Sequence, residues 1–432
     1  GVSLTAAADD DMFIIETDGN LNLNTVQSND ADVTLKSEKG SILDANSATD
    51  ANGEDTLNIS AADVNLNAVG GSIGSSSDDL EIDSSVPATG RLAAEADSDI
   101  YLTEIDGTLN VLLAEALDGA GSKSADVRLT VRESSDLDEH LILLDNGDLQ
   151  FSESDLRSLT RSRIAAGDSV ELRAGDDFTA PATSDILGGL DDATKGVLIR
   201  GDHLDLDSGY GTHILLQGSI TPGSQSLTEV FGNKDVDSIV FDQTTLGGET
   251  RAYGSKSSTR PADASVNDGE DSFLVNELQT MNVAAVHTLT LDGQADTDAY
   301  RVNTTGSHGA LRDYVINVLD SGAKDDGADT LDVYGYDSSA NAADDGSDDI
   351  FLLRRANYIP GKSVSTEIAE APAFVALLHG TAEQARLAGD AGDEQAERPQ
   401  EVQRINYDIN LNGRLSVFGM GGNDWFAVDD NS

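Results

Sequence analysis

The sequence predicts an all-β chain wound as a parallel β-solenoid, and three observations carry that expectation. Short segments with alternate apolar residues are bounded by Gly, Asp, Asn or Ser, as in Leu57-Asn58-Ile59, Leu80-Glu81-Ile82 and Ile100-Tyr101-Leu102. Some recur at a fixed step: Asp32-Val33-Thr34-Leu35 returns as Asp63-Val64-Asn65-Leu66, and Gly40-Ser41-Ile42 as Gly71-Ser72-Ile73, both 31 residues on. The acidity is of the turn-forming kind, with 58 Asp against 21 Glu, and 42 Gly but only 7 Pro in 432 residues.

Residues 1–220 read as solenoid coils. Strands of three to five residues cannot fill a sandwich core, but they can bury Val, Leu and Ile in a narrow interior by stacking coil on coil at about 4.8 Å. About twenty such coils would extend for about 95 Å. Further internal copies support coiling: Asp18-Gly19-Asn20-Leu21-Asn22-Leu23 returns as Asp106-Gly107-Thr108-Leu109-Asn110-Val111, and Ala166-Gly167-Asp168 as Ala174-Gly175-Asp176. A string of antiparallel sandwich domains would use the same turns and is the alternative.

Residues 221–432 carry a different unit, an acidic turn with Gly, then Asp, then a strand. It occurs as Asn267-Asp268-Gly269-Glu270-Asp271-Ser272-Phe273, Asp325-Asp326-Gly327-Ala328-Asp329-Thr330-Leu331-Asp332-Val333, Asp344-Asp345-Gly346-Ser347-Asp348-Asp349-Ile350 and Gly419-Met420-Gly421-Gly422-Asn423-Asp424-Trp425. Asp235-Val236-Asp237 and Asp296-Thr297-Asp298 are looser copies. Two segments depart from the pattern. Residues 252–268 read as a surface loop. Residues 364–400 read as an insertion, with a short helix from Thr381 as N-cap to Gly389 as stop. The chain opens Gly1-Val2-Ser3 and closes after an Asp-rich turn, so a piece of a much larger polypeptide is expected.

The formal charge of −53 constrains partners. Nucleic acid and anionic membrane surfaces would repel the chain, and no run of 18 apolar residues is present to cross a bilayer as a helix. The absence of Cys excludes disulfides and thiolate metal sites. Folding this much charge needs either high salt or bound cations. Calcium suits: it takes six to eight oxygen ligands, which carboxylates and turn carbonyls provide. The candidate ligands are Asp271, Asp329, Asp332, Asp348, Asp349, Asn423 and Asp424, each at the start of a strand after a Gly turn. Solvated turns without metal are the competing reading.

The Asp-Val-x-Leu and Gly-Ser-Ile coils resemble the filamentous-haemagglutinin type of right-handed β-helix. Gly421-Gly422-Asn423-Asp424-Trp425-Phe426 resembles the hemolysin-type calcium-binding repeat, although Met420 departs from its glycine pattern and no copies follow at a nine-residue step. Giant secreted bacterial surface proteins mix both repeats. The resemblance implies a calcium-stabilised structural segment at the cell surface or outside the cell, adhesive or matrix-forming. It also implies end-to-end self-association or contact with further repeats, and cell-surface glycans as a partner class.

No catalytic constellation stands out, and no enzyme is expected; a carbohydrate-active β-helix lyase or hydrolase is the alternative. Asp138-Glu139-His140 reads as a turn before the strand that begins at Leu141. Arg200-Gly201-Asp202 matches an integrin-binding tripeptide, and Asn58-Ile59-Ser60 and Asn303-Thr304-Thr305 match glycan acceptor sites.

Overall fold

Val33, Leu35, Val64 and Leu66 are fully buried, and they lie in register. Strand Val33–Ser37 pairs in parallel with Val64–Ala68, Val33 opposite Val64 and Leu35 opposite Leu66. Ile42 bridges Ile73 in the same sense. The 31-residue repeat is therefore one turn of the chain. Other turns take 27, 28 and 34 residues, so the coils are longer and fewer than the expected about twenty.

The computed structural model describes residues 2–429 apart from 30, 86–88, 118–124, 135–137, 153, 205, 208, 256–257, 259–268, 323–326, 337–347, 355–372, 380–401 and 409. Apart from one 3-10 turn, Val283–Ala285, every helix or strand among these residues is a β-strand. The fold is all-β and solenoid-like, with long parallel ladders, and divides into two units, Gly1–Glu229 and Val230–Ser432.

In the first unit, apolar residues form columns. Ile100, Val127, Val170 and Val197 are successive register partners, as are Leu102, Leu129, Leu172 and Ile199, all at most 2% exposed. Each such side chain contributes roughly 1.5–3 kcal/mol by leaving water, and a one-residue slip would turn the whole column outward. The strand Leu109–Ala116 rounds a corner: its first three residues pair with Leu141–Leu143 and its last four with Ser162–Ala166. Beyond it a coil has three sides. Ser162–Ala166, Val170–Arg173 and Phe178–Ala180 are followed one for one by Ser184–Leu187, Val197–Arg200 and His213–Leu216. One antiparallel hairpin, Gly147–Ser152 with Asp155–Leu159, lies outside the coils and buries Leu149 and Phe151 against Ala93, Leu112 and Leu113.

In the second unit, Ile239, Phe273, Tyr300 and Leu331 form a buried column. The rings of Phe273 and Tyr300 stack at 5.2 Å. Two expectations are corrected here. Residues 252–255 are not loop but the end of strand Glu249–Ser255, with Ala252 and Tyr253 buried. The 364–400 segment contains a strand, Ala373–Leu378, antiparallel to both Ile350–Arg354 and Val402–Tyr407. Its six consecutive apolar residues are the signal of a strand buried on both faces. The helix expected over 381–389 lies outside the described residues.

Candidate metal centre

Asp237, Asp271, Asp298 and Asp329 each stand immediately before one of the stacked strands of the second unit. Their backbone and side chains form a row. The N–H of Asp237 donates to Asp271 Oδ1, that of Asp271 to Asp298 Oδ1, and that of Asp298 to Asp329 Oδ1, each at 2.9 Å. All four are at most 2% exposed. A carboxylate is suited to this place because it reaches one rung away and forms a charge-assisted bond with a donor that the turn would otherwise strand. The second oxygens of Asp237, Asp271 and Asp298 lie against Gly232, Gly254 and Gly293, where a Cβ would overlap them.

Asp349 plays a related part. Its Oδ1 accepts from Ser307 N–H and its Oδ2 from Tyr336 N–H, both at 2.7 Å. Burial raises its carboxyl above the usual range, while these two donors pull the other way. Its own N–H donates to Asp424 Oδ1 at 3.0 Å, and Asn423 N–H donates to Asp348 Oδ1 at 2.6 Å. The seven candidate ligands thus fall into three places. Asp348, Asp349, Asn423 and Asp424 meet at the start of the paired strands Ile350–Arg354 and Trp425–Asp429. Asp271 and Asp329 belong to the other row, with Asp298 between them. Asp332 points elsewhere and pairs with Arg414 at 3.1 Å. The spacing that marks Asp237 and Asp298 is a glycine five residues earlier, as in Gly232, Gly293 and, for Asp424, Gly419.

The first unit holds a carboxylate group that composition concealed. Strands Val127–Val131, Val170–Arg173 and Val197–Arg200 stack in register, and each ends in an acidic corner. The corners supply Glu133, then Asp176, then Asp202 and Asp207. One carboxylate oxygen each from Glu133, Asp202 and Asp207 lies within 4.8 Å of the others. Asp202 N–H and Thr212 Oγ1 both donate to Asp176 O, at 3.1 and 2.7 Å, which ties the third corner to the second. Burial, then the charges of Asp202 and Asp207, push the Glu133 carboxyl up to about 8. Burial likewise lifts Asp176 to about 6, against the pull of the Glu139 N–H that it accepts at 2.8 Å.

The short motifs are absorbed by the same packing. Asp202 of the Arg-Gly-Asp tripeptide is 2% exposed, turned into this corner instead of outward. Asn58 is fully buried, its amide donating to Asp44 while its Oδ1 accepts from Glu81 N–H. Asn303 joins a row in which its amide donates to Asn276 Oδ1 at 3.1 Å. His140 does precede strand Leu141–Leu143, and its Nδ1 lies 3.8 Å from Asp176.

A separate cleft of about 180 Å³ is lined by Asp11, Asp32, Asp63, Arg91 and Asp148, with Leu156 from the hairpin. Asp63 is held by the Arg91 guanidinium, and burial and then Asp63 raise the Asp32 carboxyl. No model of a known protein family matches this chain, and no curated protein or solved structure is significantly similar to it.

Proposed function

We propose that the chain is a structural segment, a scaffold of stacked rungs in a secreted, cell-surface or matrix protein, stabilised by calcium. The observation that supports it is the use made of the corner side chains. Asn20, Ser41, Ser72, Asp99 and Asp126 in the first unit, and the Asp row in the second, each tie one rung to the next. Polar groups that an enzyme would direct at a substrate are spent on the stack. Calcium enters because carboxylates one rung apart repel, and an ion shared between them relieves that repulsion. Chelation at constant ionic strength is expected to lower the melting temperature by many degrees. Melting that follows ionic strength alone would overturn the calcium part.

End-to-end association is part of this reading. Trp425, Phe426 and Val428 of strand Trp425–Asp429 are 41%, 44% and 75% exposed, a surface that a further rung would cover. Trp425→Lys is expected to abolish concentration-dependent assembly in sedimentation; assembly unchanged by it would remove this contact.

The carbohydrate-active alternative has one observation in its favour, the cleft with Asp32 and Asp63. Those groups are already engaged: Asp32 Oδ1 accepts from Asp63 N–H at 3.1 Å, and both Asp63 oxygens face Arg91. The cleft is also smaller than the about 300 Å³ at which ligand pockets begin. Release of reducing or unsaturated sugar ends from a glycan panel, lost in Asp32→Asn, would establish it.

A further inference from the structure

We propose that Glu133, Asp202 and Asp207 form a discrete site for a hard divalent cation of the calcium class, in the first unit and away from the acidic turns that the sequence singles out. Three carboxylates alone would not carry this, since acidic surfaces are common. The second observation is Glu133 itself. It is 4% exposed, and among the described residues neither of its carboxylate oxygens has a hydrogen-bond donor. A buried carboxylate normally finds donors, because leaving it bare costs more than an unmade neutral hydrogen bond. The group facing Glu133 is instead a further pair of carboxylates, with Glu139 and Asp176 also close enough to act on it.

The architecture explains how Glu133 comes to be there. Its corner and that of Asp202 are separated by the corner of Ala174 to Asp177 on the intervening rung. Position 175 of that corner is Gly175, and a Cβ there would lie 2.6 Å from Glu139 Cβ and 3.2 Å from Glu133 Oε2. The missing side chain leaves room for the glutamate to reach past the middle rung toward the third. The separation also fits the ion. Two ligands of one calcium, at 2.3–2.6 Å each, stand up to about 5 Å apart, and one oxygen from each of the three lies within 4.8 Å of the others. The donor set is oxygen only, which excludes a preference for zinc or copper. Among the described residues this is the one group of three that meets that separation.

The site deepens the calcium-stabilised reading but can be tested apart from it. Calcium is titrated into the chelator-treated full chain by calorimetry, with melting recorded in parallel. Glu133→Gln is expected to remove one equivalent of bound calcium. It should also raise the melting temperature in chelator, because a buried repulsion is relieved, while reducing the gain on adding calcium. That opposite movement is not what loss of a merely structural contact would give. Asp207→Asn, at a half-buried position, is expected to remove the same equivalent if the first variant folds poorly. Full calcium stoichiometry in both folded variants would overturn this site and leave calcium elsewhere standing. A wild-type chain that binds no calcium would overturn both.

Discussion

The two units solve one problem, how to satisfy the polar corner of each coil, in opposite directions. In the first unit's Asn/Ser/Asp row the later rung donates to the earlier: Ser72 N–H to Ser41 Oγ, Asp99 N–H to Ser72 Oγ, Asp126 N–H to Asp99 Oδ1. In the second unit's main row the earlier rung donates to the later, and every acceptor is Asp. The first set is partly open to water, and Asn, Ser and Asp all serve as acceptors in it. The second is buried. Where water can stand in, any short oxygen suffices; where it cannot, the acceptor must be strong and the space for it must be cleared. Glycine clears it.

The largest effect expected from this contrast is at Gly293. A Cβ there would overlap the Asp298 carboxylate, and the Gly293 N–H also donates to the buried Tyr300 hydroxyl at 2.6 Å. Gly293→Ala is expected to cost about 3 kcal/mol, by overpacking and by displacing Asp298 from its donor. Denaturant unfolding checks it; a loss below about 1 kcal/mol would mean the corner has slack.

Next comes removal of one rung's acceptor. Asp298→Ala strands the buried N–H of Asp271, at a cost of about 2 kcal/mol. Ser72→Ala in the first unit should cost about 0.5 kcal/mol, since water can take over the Asp99 N–H. Amide exchange sharpens the comparison: the Asp271 amide should lose protection in the first variant far more than the Asp99 amide does in the second. Equal losses would show that burial does not decide the acceptor.

This contrast also explains what could be read from sequence. The coils were legible because Val33/Val64 and Ile42/Ile73 repeat the same inward residues at one step, and stacking demands that they do. The acidic turns were legible as positions, but not as chemistry. An Asp before a strand looks the same whether it holds an ion or an amide, and only the partner rung distinguishes them. The Glu133 corner was hidden for a different reason. Its members come from two corners with another rung between them, and in a chain with 79 acidic residues no spacing singles them out. Strand Ala373–Leu378 was missed because the glutamates and alanines around it set the whole 364–400 segment apart from the acidic-turn repeat, so its apolar run reads as part of an insertion and not as a strand.

A smaller effect is expected from pH. Burial, then the charges of Asp44 and Asp55, push the Glu81 carboxyl up to about 8 from an ordinary 4.5. Burial also holds Glu104 well above its ordinary range, although Ser84 donates to it through both N–H and hydroxyl. Both groups bind protons more tightly folded than unfolded. Their contribution is therefore complete below pH 4.5 and, for Glu81, is lost as pH rises through about 8. In chelator the melting temperature should fall by about 5 °C between pH 5 and 8.5. Glu81→Gln should flatten that slope, and a slope unchanged by it would place the proton elsewhere.

The smallest expected effect is at Asp332, a calcium candidate that pairs with an arginine. Its carboxylate meets Arg414 at 3.1 Å, with the arginine side chain 60% exposed. Exposed pairs of this kind contribute about 0–1 kcal/mol and weaken with salt. Arg414 lies on the neighbouring strand, where Ser416 is the register partner of Asp332, so the pair bridges rungs as the buried Asp row does, but in water. Asp332→Asn should therefore cost at most about 0.5 kcal/mol, vanish in high monovalent salt, and leave any calcium-dependent gain in melting temperature as it was. Loss of that gain in Asp332→Asn alone would mean that the ion, and not the arginine, is its true partner. The distinction between solvated pairs and buried rungs would then have to be redrawn.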